Sequence, residues 1–357
     1  MPSKPIIHVY HPIDATGASY EQLRSAGAEV TLPEGVTNVD GMRFAHADEI
    51  FDPGTIVGIG IGVSNMGTRI SAASFDSAPD LRMIANYTVG FDNVDLAEAT
   101  KRGILVVHSP TENNWGGVAE GTMAMMLALL KRVRERDRHV KAGGWREPSL
   151  LGTFVGARQI DDYPGLAVGL IGLGRIATRV ADLLAPWRVR LMACDPYVED
   201  AVFARHNARR VDLETLLMES DVVSLHCNLT EETAGMIGAA QLALMKPTAI
   251  LVNTARGPMV DANALHDALT RDRLAAAALD VLPDEPPSKD LSLFDLGDKI
   301  LLSPHMVAGN IGSGLELAIP SVTEAVMAAL RGEVPKFVAN RDAIPAWLAR
   351  FGGKRLI

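Results

Sequence analysis

The chain has 357 residues, enough for about two domains of ordinary size. Hydrophobic residues make up 48% and charged residues 22%, the balance of a globular protein with sizeable cores. A formal net charge of −9 argues against a phosphate backbone as partner, so no nucleic acid is expected.

The N-terminus carries no apolar signal core and passes straight into a strand-like Ile6–Tyr10. Up to about residue 110, short β-type runs alternate with helical ones. Strands are predicted at Ile6–Tyr10, Glu29–Leu32, Ile56–Ile59, Arg82–Ala85 and Ile104–Val107, and helices at Tyr20–Ala26 and Val94–Lys101, with Gly103 as a stop. This alternation predicts an α/β sandwich with a parallel sheet. Gly58-Ile59-Gly60-Ile61-Gly62 is also glycine-rich after a strand, but no helix and second strand ending in an acid follow, so it is read as a loop only.

Val118 to about His139 is predicted as one long helix, apolar nearly all round in its first half, with both faces covered. The basic run Lys131, Arg132, Arg134, Arg136, Arg138 reads as its solvated end, where cations suit the helix dipole. Its apolar part is too short to span a bilayer and contains Glu120, so no membrane is expected. Residues 141–164, rich in Gly, Trp, Arg and Pro, form a connecting excursion. Cys194 and Cys227 each sit in an apolar strand-like run and read as buried thiols of a reducing compartment, not as a disulfide or a metal site. A soluble, cytoplasmic protein is expected.

The stretch Leu166 to Ala177 organises the second half of the chain. A strand-type run breaks into glycines and resumes as a helix from Ile176 to about Leu184, stopping at Pro186. A second strand, Val189 to Ala193, closes on the acid Asp195. Strand, glycine turn, helix, strand and acid make one βαβ unit of a doubly wound dinucleotide-binding fold. Gly172 permits the tight turn, and Gly174, lacking Cβ, lets a pyrophosphate approach the backbone at the positive end of a helix. Ala177 holds the third glycine position as a small substitute. Asp195 suits the adenosine ribose hydroxyls and would repel a 2′-phosphate, so the cofactor reading is NAD. Strands are then predicted at Val222–His226, Ala249–Asn253, Ala276–Leu279 and Ile300–Ser303, and helices at Leu213–Met218, Ala239–Leu244 and Ala262–Thr270. After Gly312 comes a last helix, Gly314 to Leu330.

Arg256, Glu285 and His305 each lie just past the C-terminal end of a predicted parallel strand, where ligands bind in open α/β sheets. Together they suit hydride transfer to a 2-oxo acid. The arginine fork holds the carboxylate and polarises the carbonyl, the histidine gives a proton to the developing alkoxide, and the glutamate orients it and raises its pKa. Taken singly, each residue is equally well a solvated charge or a structural histidine.

These segments resemble the D-isomer-specific 2-hydroxyacid dehydrogenase family over nearly the whole chain. The resemblance lies in Leu170-Ile171-Gly172-Leu173-Gly174-Arg175-Ile176, Asp221–His226, Asn253-Thr254-Ala255-Arg256-Gly257, Ala278–Val281 with Glu285-Pro286, and Ser303-Pro304-His305. Val89–Asp95 and Val118–Glu120 resemble its substrate loop and the start of its long helix. The resemblance implies a Rossmann NAD-binding domain over 118–312. It implies a flavodoxin-like α/β substrate domain from 1–117 and 313–357, with closure over a central cleft. It implies Arg256 as substrate binder and His305, paired with Glu285, as proton donor and acceptor. Gly172, Gly174, Arg175 and Ile176 would meet the pyrophosphate and Asp195 the ribose. Asp280 would meet the nicotinamide amide, with Thr254 and Ala255 also on the cofactor. The backbone of Val89 and Gly90 would hold the substrate carboxylate. The long helix and residues 141–164 would form a homodimer.

The sequence departs from the family at Asn228, where proline is frequent, and at Ala308, with the glycine delayed to Gly309. Asn86-Tyr87-Thr88 replaces smaller residues, so Tyr87 is expected to shape the substrate pocket. None of these removes a catalytic group. Two other readings stay open. One is an NAD(H)-sensing binding protein of the corepressor kind. The other is a relative acting on formate or phosphite, and Glu285 argues against formate, which a glutamine there would favour.

Overall fold

The computed structural model describes residues 4–32, 51–62, 69–311 and 314–357. The chain divides into two compact units, one of Met1–Asn114 with Ile311–Ile357 and one of Trp115–Asn310. Gly312 and the expected boundary at 312/313 lie outside the described residues.

The first unit holds β1 (Ile6–Val9), β2 (Glu29–Thr31), β3 (Thr55–Gly60), β4 (Met83–Asn86) and β5 (Leu105–Val107), all parallel in the order β2-β1-β3-β4-β5. That is the flavodoxin-like order. Parallel strands are covered on both faces, which is why they read as continuous apolar runs. One face packs Ile7, Val57, Met83 and Leu105 against helices Ala18–Ser25, Ile319–Leu330 and Ile344–Phe351, with Trp347 fully buried among them. The other packs Ile84 and Val106 against Phe75, Leu81 and Ala99.

The C-terminal segment is tied in by polar bonds as well. Buried Arg82 donates to the carbonyls of Ala329 (3.1 Å) and Lys354 (2.9 Å), and Trp347 Nε1 donates to the Arg82 carbonyl at 3.0 Å. Asn340 accepts from the Val106 amide and donates to the Ile104 carbonyl, each at 2.8 Å.

The second unit holds β6 (Ala167–Ile171), β7 (Arg190–Cys194), β8 (Arg209–Arg210), β9 (Val222–Leu225), β10 (Ile250–Asn253), β11 (Ala276–Leu279) and β12 (Ile300–Leu302). They form one parallel seven-stranded sheet in the order β12-β11-β10-β9-β6-β7-β8. Strand order reverses between β6 and β9, the switch point at which a doubly wound sheet opens a crevice for its ligand. Helices Glu112–Leu130 and Arg175–Leu184 cover one face; Leu213–Glu219, Ala239–Leu244 and Ala262–Thr270 cover the other.

Three expectations are corrected. The long helix is two: Glu112–Leu130, then Val133–Lys141, with Arg132 left-handed at φ 52° between them. The Leu130 carbonyl, which a continuous helix would offer four residues on, instead accepts the Thr153 amide at 2.8 Å. The basic run is only partly solvated. Lys131, Arg132 and Arg136 donate to the carbonyls of Thr153, Ser149 and Leu150, and Arg134 to that of Ile300. Cations therefore fasten the 141–164 excursion rather than simply facing water. Gly58 and Gly60 belong to β3, not a loop. A methyl group on Gly60 would fall 2.0 Å from the Tyr10 ring, and one on Gly58 2.7 Å from Phe51, so these glycines make room for aromatic packing. Helices Ala72–Ser77, Asp200–Arg205 and Ile344–Phe351, and the two-residue β8, were not predicted.

Candidate active site

At the switch point β6 runs into Gly172, whose φ of +87° suits glycine. A methyl group there would lie 2.9 Å from the Cys227 amide nitrogen, so the turn also lets β6 and the segment after β9 approach closely. Gly174 caps the helix Arg175–Leu184, no side chain bonds that helix's first amides, and the space above Gly174 is open. Gly174 and Arg175 are exposed, while Ala177 is fully buried against the sheet. Asp195, half-buried past β7, accepts the Leu173 amide at 2.8 Å through Oδ2 and the Tyr197 amide at 2.9 Å through Oδ1. Oδ1 also accepts the Val198 amide at 3.2 Å, so Asp195 braces the glycine turn and keeps spare acceptor capacity on Oδ2. Open amides at a helix start, an unobstructed glycine and a carboxylate one strand away fit a dinucleotide without a 2′-phosphate.

The strand-end residues meet on this same unit. Asn253, buried at the end of β10, folds the next turn around its own side chain. Its Oδ1 accepts the Ala255 amide at 3.0 Å and its Nδ2 donates to the Arg256 carbonyl at 2.9 Å. Thr254 and Ala255 are buried, and the Thr254 hydroxyl bonds that of Thr122 at 2.8 Å. Gly257 then passes so close to the next loop that a Cβ would fall 1.8 Å from the Leu282 carbonyl oxygen, which brings the arginine turn against the glutamate turn.

Glu285 Oε1 accepts the Leu282 amide at 3.0 Å and Oε2 bonds His305 Nδ1 at 2.7 Å. Burial alone would raise the Glu285 carboxyl. The His305 bond and charge, the Leu282 amide and the Arg256 charge outweigh it and hold the group below the ordinary carboxylate value. An anionic partner on Nδ1 favours the tautomer that carries its proton there. Arg256, Glu285 and His305 are thus one constellation beside the glycine turn's sheet end.

Asp280, almost wholly buried, turns its carboxylate to the amides of Met306 (3.0 Å) and Val307 (3.2 Å). Asn253 and Gly257 stand inside the arginine motif of the sequence but were given no role there, and Thr122, on helix Glu112–Leu130, carries no local signal of its contact with Thr254.

On the first unit, Val89 and Gly90 are half-buried just past β4. The Thr88 hydroxyl accepts from the Gly62 amide at 2.8 Å and donates to the Gly90 carbonyl at 2.7 Å, which sets the bend. Tyr87, expected to shape the substrate pocket, is 2% exposed and packs in the core with helix Ile319–Leu330. It shares the Met83 and Ala85 side of β4 and its extension, and that side is covered.

Cys194 and Cys227 are free thiols, half-buried, and burial pushes Cys227 up to about 11, so it stays protonated. Among the described residues no cluster of His, Cys, Asp or Glu could hold a metal ion, and no helix is long and apolar enough to cross a membrane.

The family described as D-isomer specific 2-hydroxyacid dehydrogenase, NAD binding domain, matches residues 123–307. A glyoxylate reductase of Thermofilum pendens is 38% identical over 281 residues, covering 77% of this chain and 80% of that protein. A D-3-phosphoglycerate dehydrogenase of Archaeoglobus fulgidus is 35% identical over 300 residues, covering 84% of this chain and 53% of that protein. The crystal structure of D-lactate dehydrogenase from Aquifex aeolicus, complexed with NAD and lactic acid, superposes with a TM-score of 0.77 at 26% identity, covering 94% of this chain and 99% of that one. The chain is therefore a member of the D-isomer specific 2-hydroxyacid dehydrogenases, an NAD-dependent oxidoreductase whose Trp115–Asn310 unit contains the family's NAD-binding domain.

Proposed function

We propose that the protein interconverts a small D-2-hydroxy acid and its 2-oxo acid, with His305 as proton carrier. The observation that carries this reading is the 2.7 Å bond between His305 Nδ1 and Glu285, with Arg256 close enough for its charge to act on the same carboxyl. Arg256 holds the substrate carboxylate with its planar fork and polarises the 2-oxo group. The dihydronicotinamide, when bound, supplies the hydride that C2 receives. His305 Nε2 donates the proton that the developing alkoxide takes up, and Glu285 stabilises the imidazolium and fixes the ring. In the oxidation direction the same nitrogen accepts the hydroxyl proton. Gly172, Gly174, Arg175 and Ile176 would receive the pyrophosphate and Asp195 the ribose, favouring NAD over NADP. Thr254 and Ala255 have buried side chains, so their backbone is what they offer a cofactor. The backbone of Val89 and Gly90 holds the substrate carboxylate in this reading. A homodimer, built on the long helix and residues 141–164, and a cytoplasmic setting complete it.

The test is NADH oxidation, followed by absorbance, against glyoxylate, hydroxypyruvate, pyruvate, phenylpyruvate and 3-phosphohydroxypyruvate, with NADPH in parallel. Glyoxylate leads the panel because a 38% identical relative is a glyoxylate reductase. Turnover with NADH preferred is expected. His305→Gln should lower kcat by roughly 10²- to 10⁴-fold while leaving the Kd for NADH within about a factor of two. Undiminished turnover in that variant overturns the assignment.

A further inference from the structure

We infer that Asp280 is a positioning residue for His305, acting through the backbone of the histidine turn. The inference deepens the proposed function and rests on His305 being the proton carrier.

His305 adopts φ 56°, a left-handed conformation that is unfavourable for a residue with a Cβ. Such strain persists only where the surroundings over-determine it. Here Asp280 supplies much of that constraint. Its carbonyl accepts the His305 amide at 2.8 Å. Its Oδ1 accepts the Met306 amide at 3.0 Å and the Val307 amide at 3.2 Å, and its Oδ2 accepts the Val307 amide at 3.3 Å.

A left-handed residue followed by a turn points successive amides the same way, and two amides so aligned form a concavity for an anion. The Asp280 carboxylate fills that concavity. The residue is 2% exposed, so these bonds form where water does not compete. The far side of the turn is closed by the long helix. A methyl group on Gly121 would lie 1.9 Å from Val307 Cγ2 and 2.6 Å from the Val307 carbonyl oxygen. The turn is therefore gripped from two sides, and it is from this left-handed backbone that the imidazole bonds Glu285. Filled this way, the Asp280 carboxylate serves the histidine turn first.

The test compares Asp280→Ala and Asp280→Asn with the unaltered enzyme and with His305→Gln. Measurements are kcat at saturating NADH across pH, and the Kd for NADH by fluorescence. An asparagine oxygen in the Oδ1 place keeps both of that atom's bonds, loses the charge, and turns the long third bond into a contact between two N–H donors. Asp280→Ala should lower kcat by at least about 100-fold and shift the limb of the kcat–pH profile that reports the proton carrier, with the Kd for NADH changed by less than about threefold. Asp280→Asn should keep more than about a tenth of the unaltered kcat. If Asp280→Ala does not fold, Asp280→Asn decides by the same threshold. A weakened Kd for NADH in Asp280→Ala with kcat and its pH profile unchanged overturns the inference and makes Asp280 a cofactor contact. Loss of more than about tenfold in Asp280→Asn also overturns it, because charge rather than the acceptor geometry would then matter. Undiminished turnover in His305→Gln identifies the failure as that of the proton-carrier reading itself.

Discussion

Glu285 is a carboxylate kept anionic by the partner it orients. Its pKa lies below the ordinary value in the folded chain, so it adds stability above the unfolded value of about 4.3, and loses it as pH falls through the depressed folded value. The Tm difference between the unaltered chain and Glu285→Gln should therefore be present at neutral pH and shrink to nothing in acid, as calorimetry across pH can check. A constant difference would mean that the carboxylate's charge does not matter. That Arg256, Glu285 and His305 each follow a parallel strand was legible from spacing; that they act as one site was expected only from the family resemblance. Where individual side chains turn was not legible. Asp280 bends back to two backbone amides, and Tyr87 faces a core completed by a helix more than 200 residues away, Ile319–Leu330. Local spacing carries no record of either.

Among elements, the βαβ unit was readable because its periodicity and its turn chemistry agree, and β6, the helix after it and β7 fall within a residue of their predicted places. The long helix was readable in kind but not in its ends. Arg132 has an ordinary helix propensity, and the break comes from a tertiary bond, Thr153 amide to Leu130 carbonyl. The same helix yields a prediction. Alanine for glycine inside a helix ordinarily stabilises by up to about 1 kcal/mol. Gly121→Ala should do the reverse, lowering Tm and kcat together, because the new methyl meets the backbone of Val307 at 2.6 Å. Gly116→Ala, with no atom within 4 Å of the added methyl, should not lower Tm. Thermal melts of the two variants side by side check this.

At the scale of the molecule, the parallel sheets follow from the alternation of strands and helices, but the strand orders and the composite first unit do not. No local signal in residues 1–114 announces that residues 311–357 will complete their core. The exposed apolar residues of the excursion, Trp145 (76%), Leu151 (75%) and Ile160 (94%), suit the proposed homodimer. Light scattering should give twice the chain mass, and Leu151→Asp with Ile160→Asp should shift it toward the single-chain mass; an unchanged mass in that double variant would place the interface elsewhere. The split first unit also sets a schedule. Trp347, the anchors of Arg82 and the Asn340 bonds all come from the last stretch of chain. On the ribosome, the segment made first must wait with one sheet face covered only by helix Ala18–Ser25 while the 115–310 unit is synthesised and folds behind it. The usual N-to-C order of folding is inverted, and during that interval the nascent chain is at its greatest need of chaperone cover.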